Sequence, residues 1–300
     1  MLISILIPTY NRPKFLVQAI ESCLDHEEDN IEIIIGDDSD IKNIKLIENI
    51  ELPINYRVFY NHNFPALKQN KNVDSLIQRA NGDYSLILHD DDYLLPKGLS
   101  KLIEKLKENK RNPCIFFGKQ VLINSLGSKL ESSSLNFDYL RTEDNNGLQV
   151  NPLYKVLRQQ VPSNCFLFPS EIGKELGYRE FITVGDACDF DFALRLVLHG
   201  KCDVYFINKN ISTYRISEFS VSRNQSNAIY YKYAILKELN ISKNFLSYYK
   251  EILHKDINVL CGYYINHKLK KELRSIYYSN YYPFLNRYTI RGFYHFIQTI

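Results

Sequence analysis

The chain has 300 residues, of which 45% are hydrophobic and 24% charged, and its formal net charge is only +3. These values are close to those of an average soluble protein, so they exclude a disordered or fibrous chain. They also give no sign of a nucleic-acid-binding surface, and no nucleic-acid partner is expected. The length suits one large α/β domain with an extension.

Six cysteines are scattered along the chain without a CxxC pair, which excludes zinc-ribbon and thioredoxin-like sites. Most stand in apolar stretches, so we expect buried thiols in a reducing compartment. No segment reaches the roughly 18 apolar residues of a membrane span. The apolar opening, residues 1–8, lacks the basic start and the cleavage site of a signal peptide. We therefore expect a cytoplasmic protein, with any membrane contact peripheral.

Buried strands and amphipathic helices alternate along the first part of the chain. Continuous apolar runs predict strands at residues 3–7, 31–35, 56–60, 84–88 and 114–117. Apolar residues at helical spacing predict helices within residues 13–24, 41–47, 73–80 and 99–106. We expect Asn81 and Gly82 to form the C-cap of the third helix. The alternation predicts an α/β fold with a mainly parallel, Rossmann-like sheet flanked by helices.

Two later parts of the chain have different patterns. Residues 118–160 are expected to form an insertion or loop region, and beyond residue 225 the pattern changes to short helices rich in Tyr and Lys. Residues 226–300 hold 11 basic residues against 4 acidic ones, together with 13 of the 23 Tyr residues. We therefore predict two domains, with the chemistry in 1–225 and a basic, Tyr-rich, mostly helical extension in 226–300.

The role of this extension has two interpretations. Basic residues mixed with aromatic side chains suit an anionic membrane surface, where a lipid-linked substrate would be within reach. The alternative is a small helical subdomain that packs on the core or forms the interface of a homo-oligomer.

Polar side chains follow three of the predicted strands where each strand ends. The three clusters are Pro8-Thr9-Tyr10-Asn11, Asp37-Asp38 and His89-Asp90-Asp91-Asp92. In a parallel sheet, ligands bind beyond the carboxyl ends of the strands. We therefore expect the three clusters to meet at one edge of the sheet and to form the functional site.

The third cluster has three successive carboxylates. Without a cation, Asp90, Asp91 and Asp92 would repel one another, and some of their pKa values would rise. Mg²⁺ and Mn²⁺ prefer carboxylate oxygens and often bind together with substrate phosphates, so the cluster indicates a metal–diphosphate site. The alternative is a solvated acidic turn. Neither a GxGxxG nor a Walker A sequence is present, which leaves dinucleotide binding and P-loop chemistry without support.

Five stretches carry a resemblance to a known family: ISILIPTYNRPKFLVQAIESCL, IEIIIGDDSD, ANGDYSLILHDDDYLLP, DFDFALRLVLHG and ISTYRISEFSVS. Over roughly residues 1–225 the chain resembles the family 2 glycosyltransferases, which have the GT-A fold of nucleotide-diphospho-sugar transferases. The resemblance implies an inverting hexosyl transfer that depends on Mn²⁺ or Mg²⁺. The donor would be a sugar nucleotide, preferably a UDP-sugar, and the acceptor a hydroxyl of a glycan or lipid-linked molecule. The implied setting is bacterial surface polysaccharide synthesis, such as that of capsule or lipooligosaccharide.

The resemblance also implies roles for individual residues. The nucleotide pocket would be lined by four residues at the end of the first strand: Pro8, Thr9, Tyr10 and Arg12. Tyr10 would lie beside the base. One of Asp37 and Asp38 would hydrogen-bond the base, at the uracil N–H if the donor is a UDP-sugar.

The acidic stretch aligns with the family's metal motif when the Tyr93 that follows it is matched. The family has Asp where this chain has His89, so Asp91 becomes the expected metal ligand and Asp90 falls on a variable position. Either His89 takes over a ribose or metal contact, or Asp90 substitutes for the missing Asp. The remaining alternative is a buried, hydrogen-bonded His89 with a structural role.

An inverting transfer needs a general base that deprotonates the acceptor hydroxyl. The family has an Asp six residues before a helical Arg, and counting back from Arg195 gives Asp189 as the predicted base. Asp186 and Asp191 are competitors. Asp186 is also placed to cap the helix, and Asp191 to be an exposed helical charge.

The Tyr-Arg pair that the family has after its last core strand is Tyr214-Arg215 in this chain. The family often has a His two residues further on, near the metal or diphosphate, and here Ser217 takes that position. Arg215 or Arg223 would face the diphosphate, or else be a surface charge.

Other functions remain as alternatives. His89, Cys188 and Ser217 depart from the family's pattern, which favours a catalytically weak sugar-nucleotide- or glycan-binding module as the second candidate. A nucleotidyltransferase of the same fold would carry a Gly-rich loop after the first strand, and Pro8-Thr9-Tyr10-Asn11 argues against it.

Overall fold

The computed structural model describes residues 1–109, 113–131, 133–216, 225–239 and 246–300. The first part of the chain contains all the strands and helices that the apolar pattern predicts. In chain order they are β1 (Leu2–Thr9), α1 (Pro13–Glu21), β2 (Asn30–Asp37), α2 (Ile44–Glu48), β3 (Tyr56–His62), α3 (Gln69–Arg79), β4 (Tyr84–Ile87), α4 (Gly98–Glu108) and β5 (Cys114–Ile123).

The later elements include several short ones before the C-terminal helices begin. They are α5 (Leu135–Asp138), β6 (Gly147–Leu148), α6 (Pro152–Leu157), β7 (Leu167–Pro169), α7 (Ser170–Leu176), α8 (Phe181–Val184), α9 (Cys188–Leu198), β8 (Asp203–Arg215), α10 (Gln225–Glu238), α11 (Leu246–Asn266), α12 (Lys270–Tyr277) and α13 (Ile290–Thr299). The C-terminal helices agree with the helical pattern predicted beyond residue 225.

Eight strands of the described residues form one sheet, in the order β3-β2-β1-β4-β7-β5-β8-β6. Strands β1 to β4 pair in parallel, as do β5 and β8, whereas β7 is antiparallel to both β4 and β5, and β6 is antiparallel to β8. The predicted mainly parallel sheet flanked by helices is therefore confirmed. Because β1, β2 and β4 run in the same direction, their carboxyl ends lie on one edge of the sheet.

Strands β1 and β2 are buried on both faces, which explains why they consist mainly of Ile and Leu. The polar interruptions in these runs are Ser4 and Glu32, and both are buried. The Ser4 hydroxyl donates to a Glu32 carboxylate oxygen at 2.5 Å, and the Asn81 amide donates to the same oxygen at 2.6 Å. The carboxylate is therefore hydrogen-bonded inside the fold, as a buried charge requires.

The predicted C-cap at Asn81 and Gly82 is wrong. Helix α3 ends at Arg79, and its cap residue, Ala80, has extended backbone. Gly82 is required for a different reason: a Cβ there would lie 2.7 Å from the Ser4 backbone nitrogen. The missing side chain allows the chain to approach β1 closely before β4 begins.

The expectation that residues 118–160 form an insertion or loop region is also wrong at its start. Strand β5 continues to Ile123 and pairs with β8 along its whole length, with a shift in register around Lys119. The polar Lys119 and Gln120 interrupt the apolar run, so the sequence pattern hides the second half of the strand. A Cβ on Gly118 would lie 2.2 Å from the Ile211 side chain, which places the glycine at a tight contact beside the irregularity.

The described residues fall into two compact units. The first comprises those within Met1–Glu180 and Cys188–Glu218, and the second those within Phe181–Ala187 and Phe219–Ile300. Sequence patterns did not indicate that residues 181–187 join the second unit, where the Phe181 ring lies 6.5 Å from the Tyr231 ring. The membrane, acceptor or oligomer contact expected of residues 226–300 stays a prediction.

Part of the Tyr enrichment forms ring stacks within the second unit. Tyr230 stacks on Tyr263 with ring centroids 4.4 Å apart, and Tyr263 stacks in turn on His267.

All six cysteines are buried, as predicted. Among the described residues, no helix combines the length and the apolar character that crossing a bilayer demands.

Candidate active site

Asp90 joins two of the predicted clusters at the sheet edge. The Thr9 hydroxyl donates to Asp90 Oδ2 at 2.7 Å, and Arg12 Nη1 lies 3.1 Å from Asp90 Oδ1. The Asp37-Asp38 cluster is attached through the backbone, because the Asp38 amide donates to the Thr9 carbonyl at 3.0 Å. The structure therefore brings the three strand ends together, as the parallel sheet predicts.

Arg12 forms ion pairs with two carboxylates of the acidic stretch. Its Nη1 lies 2.8 Å from Asp91 Oδ2, so one guanidinium nitrogen contacts both Asp90 and Asp91. Burial and the neighbouring Asp91 raise the pKa of Asp90, while Arg12 and the Thr9 hydroxyl oppose the rise. Asp90 is therefore a buried link between strand ends, held by its protein partners on both oxygens.

His89, Asp91 and Asp92 form a cluster that fits a divalent cation. Each offers one ligand atom, and these atoms all lie within 4.8 Å of one another. Burial and repulsion from Asp91 raise the pKa of Asp92 to about 7, which is the cost that a bound cation removes. One imidazole nitrogen and two carboxylates suit Mn²⁺, and the carboxylates suit Mg²⁺.

His89 itself is half-buried. In the described part of the chain no side chain hydrogen-bonds to its ring, so the alternative of a buried, hydrogen-bonded structural histidine has no support. The position of its ring nitrogen beside the Asp91 and Asp92 carboxylates favours the metal contact among the predicted roles.

Asp92 is fixed by two residues that sequence reasoning did not identify as partners. Asn164, which is fully buried, donates to Asp92 Oδ2 at 2.5 Å, and the Arg215 amide donates to Asp92 Oδ1 at 2.7 Å. Asn164 stands 72 residues away in a stretch with no recognisable motif. No local pattern could have indicated this contact, since only the pairing of β4 with β7 brings the two together.

Arg215 is buried, so the alternative of a surface charge is wrong for this residue, and its contact with the diphosphate stays a prediction. The residue is only 4% exposed, and its Nε donates to the Asp91 carbonyl at 2.6 Å. The other guanidinium nitrogens donate to the Asn124 and Ser125 carbonyls and to Gln18, and the guanidinium lies 4.5 Å from the Phe15 ring. Arg215 therefore fixes the backbone of the acidic stretch at Asp91.

Asp37 and Asp38 have different environments. Asp37 is fully buried and accepts hydrogen bonds from Ser39, Tyr60 and Asn43. Burial alone would raise the pKa of Asp37, but these hydrogen bonds outweigh it and lower the pKa. Both Asp37 oxygens are thus used inside the fold.

Asp38 uses one oxygen in this way. Its Oδ1 accepts from Asn63 Nδ2 at 2.8 Å and from the Leu67 amide at 3.1 Å. No described residue donates to the second oxygen. Asp38 is therefore the better placed of the two to accept a hydrogen-bond donor from a ligand.

The other predicted pocket residues lie at the end of β1. Pro8 pairs in register with Gly36 of β2. The Tyr10 side chain is 57% exposed, and its amide lies 3.4 Å from Asp90 Oδ2. An exposed ring on a backbone fixed to Asp90 can stack on a planar ligand.

Asp189, the predicted base, lies at the start of α9 and is half-buried. The Tyr178 hydroxyl donates to Asp189 Oδ1. Burial raises the pKa of Asp189, although His89 and the Tyr178 hydroxyl oppose the rise. Asp189 thus combines a raised pKa with a position near a histidine of the metal cluster. These are properties of a general base.

Asp191 is not an exposed helical charge, and that expectation is wrong. The residue is 1% exposed, and Arg179 Nε lies 3.1 Å from each of its carboxylate oxygens. Arg195 Nε lies 2.8 Å from Asp191 Oδ2. Two guanidinium groups therefore neutralise Asp191, which gives it a structural role.

Asp186 lies in the second unit, in a short 3₁₀ turn at Gly185–Ala187. Its carboxylate accepts a hydrogen bond from Asn227. Ser217 and Arg223, for which contacts to the diphosphate were considered, lie outside the described residues.

A cavity of about 700 Å³ opens beside the site. Asn63 and Tyr178 both line it. Asn63 donates to Asp38 and Tyr178 donates to Asp189, so the cavity wall includes one hydrogen-bond partner of each of these carboxylates. Its volume is large enough for a small ligand.

Known proteins resemble the chain in sequence and in fold. The profile of the family described as "Glycosyl transferase family 2" matches residues 4–154. An uncharacterized glycosyltransferase of Haemophilus influenzae is 28% identical over 228 residues, which cover 75% of this chain and 83% of that protein.

Two further proteins show shorter or more distant similarity. The GalNAc(5)-diNAcBac-PP-undecaprenol beta-1,3-glucosyltransferase of Campylobacter jejuni is 33% identical over 108 residues, which cover 35% of each chain. The solved structure of S. aureus TarS 1–349 in complex with UDP superposes with a TM-score of 0.62. It is 13% identical, and the match covers 92% of this chain and 79% of that one, so the two share the fold.

Proposed function

Because the chain belongs to glycosyl transferase family 2, we propose that it transfers a hexose from a UDP-sugar to a hydroxyl of a glycan or lipid-linked acceptor, with inversion and with Mn²⁺ or Mg²⁺. The observation that carries the proposal is the meeting of three strand ends around Asp90, beside the cluster of His89, Asp91 and Asp92. The carboxyl edge of a parallel sheet is where such folds bind nucleotides.

The donor's nucleotide binds at the ends of β1 and β2. Asp38 accepts the uracil N–H on the carboxylate oxygen that no described residue uses, and Tyr10 stacks on the base. Pro8 and Thr9 line the floor, and Arg12 balances the negative charge next to the diphosphate. The fold shared with TarS, which was solved with UDP, supports the choice of UDP.

His89, Asp91 and Asp92 hold the divalent ion in this proposal, with Asp92 oriented by Asn164 and Arg215. When bound, the ion stabilises the negative charge that develops on the leaving diphosphate. Arg12 contributes a second positive charge on the same side. The backbone of the acidic stretch does not need to move, since Arg215 already fixes the Asp91 carbonyl.

Asp189 takes the proton of the acceptor hydroxyl as that hydroxyl attacks the sugar. Its raised pKa makes it a stronger base than an exposed carboxylate. Tyr178 orients the carboxylate by donating to Oδ1, which leaves Oδ2 for the acceptor proton.

The extension and one of the relatives support the proposed acceptor and setting. The name of the Campylobacter jejuni relative describes a sugar transfer to an undecaprenol-linked glycan, and this supports a lipid-linked acceptor in surface polysaccharide synthesis. The proposal places the chain in the cytoplasm, with peripheral contact to the membrane through residues 226–300. A homo-oligomer through the same residues is the rival arrangement.

The test is a screen of UDP-sugars for transfer or hydrolysis in Mn²⁺, Mg²⁺ and a chelator. We expect turnover that needs the ion, and at least about a hundredfold loss in Asp91→Ala and in Asp189→Asn. Asp186→Asn is the matched control, because it alters a neighbouring carboxylate outside the proposed chemistry.

Two outcomes would contradict parts of the proposal. Turnover that is lost in Asp186→Asn and retained in Asp189→Asn would overturn the base assignment. Donor binding without turnover for any acceptor would favour the binding module instead, the alternative that His89 and Cys188 suggest by departing from the family's pattern.

A further inference from the structure

Helix α13 has its apolar side on the outside. Four of its exposed side chains are large and apolar and lie at helical spacing: Ile290, Phe293, Tyr294 and Ile297, between 48% and 92% exposed. The buried side holds Gly292, His295 and Thr299. A surface helix of a globular protein normally shows the opposite arrangement. We call the four exposed residues the α13 surface.

The helix cannot roll to bury this surface, because its other side is fixed. The Tyr282 hydroxyl and His295 Nδ1 are 2.9 Å apart in a buried hydrogen bond. Thr289 caps the helix by accepting from the Gly292 amide at 3.0 Å. A Cβ on Gly292 would lie 1.8 Å from the Asn286 carbonyl oxygen, so the backbone contact on this side requires glycine.

Exposed apolar side chains continue into the turn before the helix. Phe284, Leu285 and Tyr288 are each at least 63% exposed. Scattered exposed apolar residues are normal, but a concentration of them in one segment marks a surface that binds something.

The charge of the segment that contains α12 and α13 favours an anionic partner. Residues 268–300 hold six basic residues against one acidic residue, Glu272. Helix α12 carries several of the basic side chains and packs on α13 through the Tyr277 and Phe296 rings, whose centroids are 6.0 Å apart. Lys270 donates to the Ile300 carbonyl just past the end of α13.

An anionic partner therefore suits this surface better than a second copy of the chain. In a symmetric dimer through α13, the same basic residues of both copies would be brought close together. A bilayer with anionic headgroups offers phosphates to the Lys and Arg residues and a hydrocarbon boundary to the Ile and Phe side chains.

We propose that α13 docks on an anionic lipid bilayer, with Phe293 and Ile297 at the headgroup–acyl boundary and the basic residues of α12 and α13 on the headgroups. The helix lies in the plane of the interface and does not cross it. This inference rests on the membrane contact of the proposed function and assigns it to one surface. Lipid binding is measured without donor or acceptor, so its failure is distinguishable from a failure of the proposed glycosyl transfer.

The first experiment uses the absence of Trp from the chain. F293W introduces a single fluorescent reporter on the α13 surface of the full chain, and I54W places one on a fully exposed site of the first unit. With vesicles of phosphatidylglycerol and phosphatidylcholine, F293W emission should shift to the blue and be quenched by brominated acyl chains. I54W emission should not change.

The second experiment measures vesicle cosedimentation. Ile290→Ser with Ile297→Ser should weaken binding at least about tenfold, because burial of two Ile side chains is lost. Ile41→Ser with Ile54→Ser is the matched control on the first unit and should bind as the natural chain does. Lys271→Glu with Arg291→Glu should also weaken binding about tenfold and remove the preference for phosphatidylglycerol. Circular dichroism melts of all variants establish that they are folded.

Two results would overturn the proposal. One is vesicle binding that the Ile290→Ser, Ile297→Ser variant retains while folded. The other is a natural chain that does not bind vesicles with or without phosphatidylglycerol and sediments as a dimer, while the Ile290→Ser, Ile297→Ser variant sediments as a monomer. The second result would assign the α13 surface to a second copy of the chain.

Discussion

Asp189 and Asp191 stand two residues apart on α9, yet their environments differ. Asp189 is half-buried and receives a hydrogen bond from Tyr178, whereas Asp191 is buried between two guanidinium groups. The resemblance to the family favoured Asp189 over Asp191, and the two guanidinium groups on Asp191 make it unsuited to be a base.

Asp189→Asn should abolish proton transfer and leave the fold intact. We expect kcat to fall by a factor of about 10² to 10⁴, since an amide cannot accept the acceptor's proton. UDP affinity and the melting temperature should stay close to those of the natural chain. Steady-state kinetics and calorimetry on the same samples measure these quantities. A large loss of donor affinity would show that Asp189 serves binding instead.

Asp191→Asn should have the reverse effect. Removing this carboxylate leaves Arg179 and Arg195 without their common partner, and we expect the free energy of unfolding to fall by about 3 kcal/mol. Urea unfolding measures this change. Unchanged stability would mean that the ion pairs contribute little, and a specific loss of kcat in a stable variant would make Asp191 the base.

At the scale of elements, β8 supports the acidic stretch that follows β4. Arg215, the last residue of β8, contacts the Asp91 carbonyl through its side chain and Asp92 through its amide. The site therefore depends on an element that stands more than a hundred residues away in the sequence.

Arg215→Lys tests this support. Lysine keeps the charge but cannot reach the four acceptors that one planar guanidinium contacts. We expect a loss of about 2 kcal/mol in stability and several-fold weaker metal-dependent UDP binding. Lys209→Arg is the control, because it makes the reverse exchange at an exposed position of the same strand. Natural UDP affinity in a folded Arg215→Lys chain would separate β8 from the site.

The strands, the sheet edge and the meeting of the three clusters were predictable, because apolar runs and the direction of parallel strands are local signals. The role of Arg215, the contact of Asn164 with Asp92 and the burial of Asp191 were not. Each depends on residues that are distant in the sequence or on a partner that the pattern does not mark. The second half of β5 was missed because Lys119 and Gln120 resemble a loop.

At the scale of the whole molecule, buried carboxylates make stability depend on pH. Hydrogen bonds from Ser39, Tyr60 and Asn43 hold the pKa of Asp37 below its value in the unfolded chain. The contribution of Asp37 is therefore fully present above the unfolded pKa of about 4 and is lost as the pH falls through the folded pKa.

Asp37→Asn should lower the free energy of unfolding at pH 7 by about 1 to 3 kcal/mol, since the amide presents a donor to Tyr60 and Asn43. The loss should shrink as the pH falls towards 3. Urea unfolding from pH 7 to pH 3 measures both effects. Asp40→Asn, at an exposed neighbouring position, should change stability by less than about 0.5 kcal/mol. An equal loss at every pH would contradict the linkage.

If the three strand ends form one metal-dependent site for a nucleoside diphosphate, UDP binding must depend on all of them. Isothermal titration calorimetry of UDP, with Mn²⁺ and then with a chelator, measures this in the natural chain and in Asp38→Asn, Asp91→Asn and the control Asp40→Asn. We expect UDP to bind in Mn²⁺, and at least about tenfold more weakly with the chelator, with Asp38→Asn or with Asp91→Asn, while Asp40→Asn has no effect. UDP binding of equal strength with and without Mn²⁺, or no binding at all, would contradict this expectation.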